Sequence, residues 1–166
     1  SVNLVGPTSL AAFWQRHAAD SAQILRYAPP VAKTWLDLGS GGGLPGLVLA
    51  IMLAEKTPNA RVHMVESDRK KASFLRAVLA DTGVSAHVHH SRIEALAEAP
   101  PAALAQIDVV TARALAPLND LLRLLQPFCN SSTVALLHKG RNWHEELTLS
   151  EQYWKMSHKA HVSDTD

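Results

Sequence analysis

Residues 34–51, TWLDLGSGGGLPGLVLAI, place four glycines in five positions between two apolar runs. Glycine has no Cβ, so it takes positive φ readily and lets another molecule approach the main chain. TWLDL, preceded by Pro29-Pro30 and followed by the glycines, has the length of a short buried strand. The run from Leu44 to Leu53 suits a helix with Pro45 in its first turn. Strand, bare turn and helix N-terminus follow directly, and the free N–H groups of that terminus face whatever sits above the turn.

Two spellings overlap in this stretch. Gly41 to Gly46 fits G-x-G-x-x-G, the dinucleotide fingerprint, which is weak when it stands alone. Asp37 to Gly43 reads acid-x-G-x-G-x-G and resembles motif I of the S-adenosylmethionine-dependent methyltransferases. That resemblance implies that Asp37, with Gly39, Ser40, Gly41 and Gly43, organises the turn and the ammonium of the cofactor. A carboxylate beside a pyrophosphate costs electrostatic energy, so charge favours the cationic cofactor over a dinucleotide.

The rest of the chain alternates. A helix is expected over Leu10 to Tyr27, strands over Thr34–Leu38, Arg61–Glu66, Ser85–His90, Ile107–Thr111 and Thr133–His138, and helices over Pro45–Lys56, Arg69–Asp81 and Leu118–Leu125. Gly83 closes the third of these helices, and Ala95 to Ala105, with Pro100-Pro101, reads as a loop or short helix. Strands alternating with helices build right-handed βαβ units and a parallel sheet covered on both faces. With 166 residues, 47% of them hydrophobic, the chain can bury one core, so one α/β domain is expected.

Ligands of such sheets bind outside the carboxyl ends of the strands. Glu66 closes the second strand, 20 residues after Gly46, where an acid can accept both hydroxyls of a ribose. Ser91-Arg92-Ile93-Glu94 follows the third strand, Ala112-Arg113-Ala114 the fourth and His138-Lys139-Gly140-Arg141 the fifth. Three consecutive strand ends therefore deliver cations, drawn from only 16 lysines and arginines. Since the net charge is +1, affinity for a polyanion has to come from such local clustering.

These residues, in this order, carry a close resemblance to one family. Asn3-Leu4, Arg16-His17 with Asp20-Ser21, Asp37 to Gly46 ending in Gly-Leu-Pro-Gly, Ser91 to Glu94, Ala112 to Ala114, Leu118-Asn119-Asp120 and Lys139-Gly140 are similar to the glucose-inhibited division protein B family, also called ribosomal RNA small subunit methyltransferase G. The resemblance spans about residues 3 to 141. It implies a Rossmann-like class I methyltransferase fold with an N-terminal helix, and transfer of a methyl group from S-adenosylmethionine to N7 of a guanine in small-subunit ribosomal RNA. It also implies that Gly39, Leu44, Ile93, Glu94 and Arg113 line the cofactor site, with Glu66 as the ribose acid.

Arg16, Arg92, Lys139 and Arg141 are then the RNA candidates, on phosphate or stacked on a base. His17 is expected to be structural, packed beneath the turn. Family members extend further at both ends, so residues 1–166 are expected to be one methyltransferase domain present as a fragment: a helical segment over 1–30, a cofactor-binding core over 31–141, and a C-terminal stretch over 142–166 without closing strands.

The chemistry agrees with the motifs. N7 carries a lone pair and no proton, so no general base is assigned and catalysis rests on alignment. His87, His89 and His90 lack companion ligands at metal spacing, and no metal is expected. Cys129 is the sole cysteine, which excludes an intrachain disulfide, and no apolar run approaches about 18 residues. A monomer in the cytoplasm is expected, acting on ribosomal RNA or on the ribosomal subunit. Two rivals remain at this point: a nicotinamide-dependent oxidoreductase on a similar sheet, and a non-catalytic RNA-binding module.

Overall fold

The computed structural model describes residues 14–165, with side chains from His17 onward. Five parallel strands form one sheet in the order β3-β2-β1-β4-β5: β1 Thr34–Leu38, β2 Arg61–Glu66, β3 His87–His90, β4 Val109–Arg113 and β5 Val134–His138. The helices are α1 Asp20–Gln23, α2 Gly46–Lys56, α3 Arg69–Thr82, α4 Ile93–Glu98, α5 Leu118–Leu125 and α6 Trp143–Glu151. A π-helical turn, Trp14–Ala19, leads into α1, and a 3-10 turn, Ile24–Tyr27, leaves it.

Side-chain alternation along the central strands explains the two cores. In β1, Leu36 and Leu38 face one side with Val65 and Val110, against Ile93 and Leu96 of α4 and the leucines of α5. Trp35 faces the other side with Met64 and Val109, against Leu47, Leu49 and Leu53 of α2 and Leu75 of α3. A strand buried on both faces has no reason to alternate apolar with polar, which is why these strands read as short continuous runs.

The caps follow from residue chemistry. Asp68 accepts the Lys71 N–H at 2.9 Å and opens α3, while Gly83 closes it at φ +67°. Several strand and helix boundaries differ from expectation by one or two residues. β4 starts two residues later, because its ladder with β1 begins at Trp35↔Val109, and it runs on through Arg113, opposite His138 of β5. β3 also begins later, at His87 opposite His63. Ala95 to Ala105 contains part of α4 and a 3-10 turn at Ala102–Leu104.

The order changes direction between β1 and β4, so the crevice of the sheet opens above the carboxyl ends of β1, β2 and β4. Among the described residues, no helix is long and apolar enough to cross a membrane. The expected start of the first helix at Leu10, and the Asn3-Leu4 pair, lie outside the described residues.

Candidate cofactor cleft

The glycine turn forms the floor of a cleft of about 510 Å³, within the usual range for small-ligand sites. Gly39, Gly41 and Gly43 have φ of +66°, +53° and +89°, so the turn is built from backbone that other residues adopt only with strain. Ser40 N–H donates to Val65 O at 3.0 Å, and Gly43 N–H donates to Ser40 O at 2.7 Å. A Cβ on Gly41 would meet nothing closer than Gly39 O at 3.7 Å, which leaves the main chain there approachable.

Glu66 stands at the mouth as expected. Its Oε2 accepts the Gly41 N–H and its Oε1 the Asp68 N–H, each at 2.7 Å. These two bonds lock the carboxylate against the turn and occupy one lone pair on each oxygen. The second lone pair on each is the one a vicinal diol needs.

Asp37 lies elsewhere than the motif suggests. It is buried beneath the turn and is not among the residues lining the cleft. Its Oδ1 accepts the Thr111 hydroxyl at 2.7 Å, tying β1 to β4, while its Oδ2 lies where a Cβ on Gly46 would come within 2.6 Å. Burial pushes this carboxyl up to about 6, with the Glu66 charge adding to the effect and the hydrogen bonds opposing it. Its place is therefore under the loop. Gly43 is likewise behind the cleft, against Leu47.

The other cofactor candidates converge. Gly39, Ser40, Gly41, Leu44, Glu66, Ile93, Glu94 and Arg113 all line the cleft, drawn from the ends of β1, β2, β4 and the first turn of α4. His17, Ser91, Ala114 and Leu115 join them. Arg113 is not a free cation: its Nη2 lies 3.2 Å from Asp20 Oδ2, and His17 and Ser21 are also within hydrogen-bond distance. His17 is thus packed by Arg113 at the rim.

The RNA candidates separate. Arg92 is exposed on the lip, and Lys71, from the first turn of α3, lines the same cleft. Lys139 is half-buried in an ion pair with Glu146, and Arg141 is exposed but outside the cleft lining. The side chain of Arg16 lies outside the described residues. Asp20, Thr111 and Glu146 carry structural connections to the site that spacing alone does not reveal, since their partners are 93, 74 and 28 residues away. His63 stacks on both His87 and His89, and the described residues hold no group of three or more side chains that could hold a metal ion.

The cleft can be tested against S-adenosylmethionine on its own features. A turn whose missing side chains leave the backbone open at Gly41, an acid with lone pairs to spare at Glu66, and helix N–H groups at Ile93 and Glu94 suit the nucleoside. The residues fit the group.

Comparison with known proteins agrees. The chain is similar to solved structures including coclaurine N-methyltransferase bound to N-methylheliamine and SAH, with a TM-score of 0.54 and 19% identity over 71% of this chain and 35% of that one. The plantazolicin methyltransferase in complex with SAH gives 0.54 and 14%, over 78% and 48%. At such identity the likeness speaks for the fold.

The sequence relatives are nearer. A ribosomal RNA small subunit methyltransferase G of Parvibaculum lavamentivorans is 45% identical over 100% of this chain and 71% of its own length, and one of Bradyrhizobium sp. strain ORS 278 is 47% identical over 98% and 71%. A family model described as rRNA small subunit methyltransferase G matches residues 1–165. Turn, acid and flanking helix thus occur in a chain matched almost end to end, and the chain belongs to the rRNA small subunit methyltransferase G family.

Proposed function

We propose that the protein methylates N7 of a guanine in small-subunit (16S) ribosomal RNA with S-adenosylmethionine as donor. The observation that carries this reading is the Gly41–Glu66 contact, which sets a ribose acid against a bare turn in a chain of this family. When bound, the donor supplies a methyl carbon made electrophilic by a sulfonium.

The residues of the chain bind and orient. Glu66 holds the ribose, the Ile93 and Glu94 backbone meets the adenine, and the glycine turn lies under the amino-acid end. Guanine N7 has a lone pair and no hydrogen, so nothing need remove a proton, and the work left is to hold the nucleophile in line. Arg92 and Lys71, exposed and half-buried at the lip, supply the cations that meet phosphate in this reading. A single domain acting as a monomer in the cytoplasm belongs to the same proposal. One sheet with a core on each face supports the single domain.

Incubation with tritiated S-adenosylmethionine and 30S subunits or deproteinised 16S RNA, followed by nuclease digestion, tests the reading. Label in 7-methylguanosine is the expected result, and label in any other nucleoside overturns the N7 assignment.

A further inference from the structure

Lys139 follows β5 directly, a position from which a lysine can reach substrate, yet its ammonium is occupied. Nζ donates to Ala116 O at 3.0 Å and pairs with Glu146 Oε2 at 2.5 Å. The same Oε2 accepts the Leu118 N–H at 2.6 Å. The two side chains are only 17% and 27% exposed. One residue further along, Asn119 Oδ1 accepts the Trp154 indole N–H at 2.8 Å. Residues 116–119, where the connection from β4 enters α5, are therefore gripped at a carbonyl, an N–H and an amide by Lys139 just after β5, Glu146 of α6 and Trp154 beyond it.

That connection begins at the cleft. Ala114 and Leu115 line it. Ala114 holds φ +49°, a backbone state strained for an alanine that persists where its surroundings impose it. Leu115 Cδ1 occupies the space that a side chain on Gly39 would need, 2.6 Å from its ideal Cβ. Contacts run without a break from Glu146 through Ala116 and Leu118 to Leu115 and the glycine turn.

We propose that the Lys139–Glu146 pair is a positioning device for the cofactor cleft: it fixes the β4–α5 connection so that Ala114 and Leu115 close against the Gly39 turn. The inference rests on the reading of the cleft as the S-adenosylmethionine site. It moves Lys139 from the RNA-binding set to the support of the cofactor, because a lysine neutralised by a carboxylate and bonded to a carbonyl has little left to offer a phosphate. Glu146 acts through Lys139 and Leu118 and touches no substrate.

The test uses the whole chain and four variants: Lys139→Met, Glu146→Gln, the two combined, and Lys139→Arg. Two quantities are read well below the melting temperature: the calorimetric Kd for S-adenosylmethionine, and the slope of log K against log salt for 16S RNA binding. Each single neutral variant is expected to weaken cofactor binding about tenfold, the scale of one lost charged hydrogen bond. The double variant is expected to be little worse than either, since one linkage is broken twice. Lys139→Arg recovers most of the affinity, and the RNA salt slope of Lys139→Met equals that of wild type.

A Kd unchanged in both single variants, with the salt slope of Lys139→Met reduced by about one, identifies a phosphate contact and overturns the proposal. Glu146→Gln keeps an oxygen for the Leu118 N–H and carries the test alone if Lys139→Met does not fold. Wild type without affinity for S-adenosylmethionine is a different failure, that of the cofactor reading beneath it.

Discussion

Arg113, the last residue of β4, has its Nη2 3.2 Å from Oδ2 of Asp20, the first residue of α1, in a pair whose side chains are 20% and 12% exposed. Asp20 gathers more than this. Its Oδ1 accepts from Gln23 Nε2 at 2.6 Å and from the Ser163 hydroxyl at 2.7 Å, and His138 Nε2 lies 3.1 Å from its carbonyl. One carboxylate thus joins the sheet end, the N-terminal helical segment and the C-terminal residues at the rim of the cleft.

Removing one member of a buried ion pair leaves the other's charge under-compensated, at a cost of up to about 3–5 kcal/mol. Asp20→Ala is expected to lose stability on this scale in urea unfolding and to weaken S-adenosylmethionine binding as His17 leaves the rim. Asp20→Asn, which keeps an oxygen for Gln23 and Ser163 but removes the same charge, is expected to lose most of the same stability. A loss from Asp20→Asn well under half that from Asp20→Ala contradicts the ion-pair account and assigns the stability to the neutral hydrogen bonds instead.

Glu66 uses both oxygens on backbone N–H groups. Glu66→Gln turns one of them into a donor facing a donor and removes the charge from the ribose acceptor. Loss of a charged hydrogen bond to ligand amounts to about 1.5–3 kcal/mol, so calorimetry is expected to show S-adenosylmethionine binding weakened by roughly ten- to a hundredfold. An unchanged Kd contradicts the assignment of the ribose acid.

Gly46 opens α2 with no positive φ, and its reason for being glycine is space. A Cβ there would stand 2.6 Å from Asp37 Oδ2 and 2.8 Å from Met64 Cγ, in a fully packed core. Gly46→Ala is expected to destabilise by about 1–3 kcal/mol, seen as a lower urea midpoint at unchanged slope. A midpoint equal to wild type contradicts this packing.

Two buried groups bend the pH dependence in opposite directions. Burial lowers His63 to about 4, with His89, His87 and Arg61 adding to the effect, so the stability tied to its neutral form is present above about 6.5 and lost as pH falls towards 4. Asp37 is raised to about 6, so its contribution is present below about 4 and lost as pH rises to 6. Between pH 4 and 6 each contributes about 1.4 kcal/mol per pH unit, with opposite sign, and the two nearly cancel. His63→Gln is expected to shift the slope of stability against pH downward by that amount, and Asp37→Asn upward. Urea midpoints at pH 4.5, 5.2 and 6.0 read the slopes; parallel lines for both variants and wild type contradict the pKa assignments.

The sheet was legible because its strands are short apolar runs between glycine and proline punctuation, and β1, β2 and α5 lie where the pattern places them. The cleft was legible because every strand end that feeds it carries a local motif. What was not legible depends on distance. Thr111 and Asp37 are separated by 74 residues, and nothing in the acid-x-G-x-G spelling tells whether the acid faces ligand or core. Lys139 has the same spelling whether it meets phosphate or Glu146. α6 escaped notice because its sequence, WHEELTLSE, has little apolar periodicity, and it is held by Glu146, by Ser150 and by packing on α5.

Titration calorimetry of the whole chain with S-adenosylmethionine and, separately, with NADH decides which cofactor the glycine turn holds, with Gly39→Asp alongside. That substitution puts a branched acid at φ +66° and drives its Cβ to 2.6 Å from Leu115. The account predicts saturable binding of S-adenosylmethionine to wild type, its loss in Gly39→Asp, and no heat from NADH. Binding of NADH alone, or equal S-adenosylmethionine affinity in the two proteins, would contradict it.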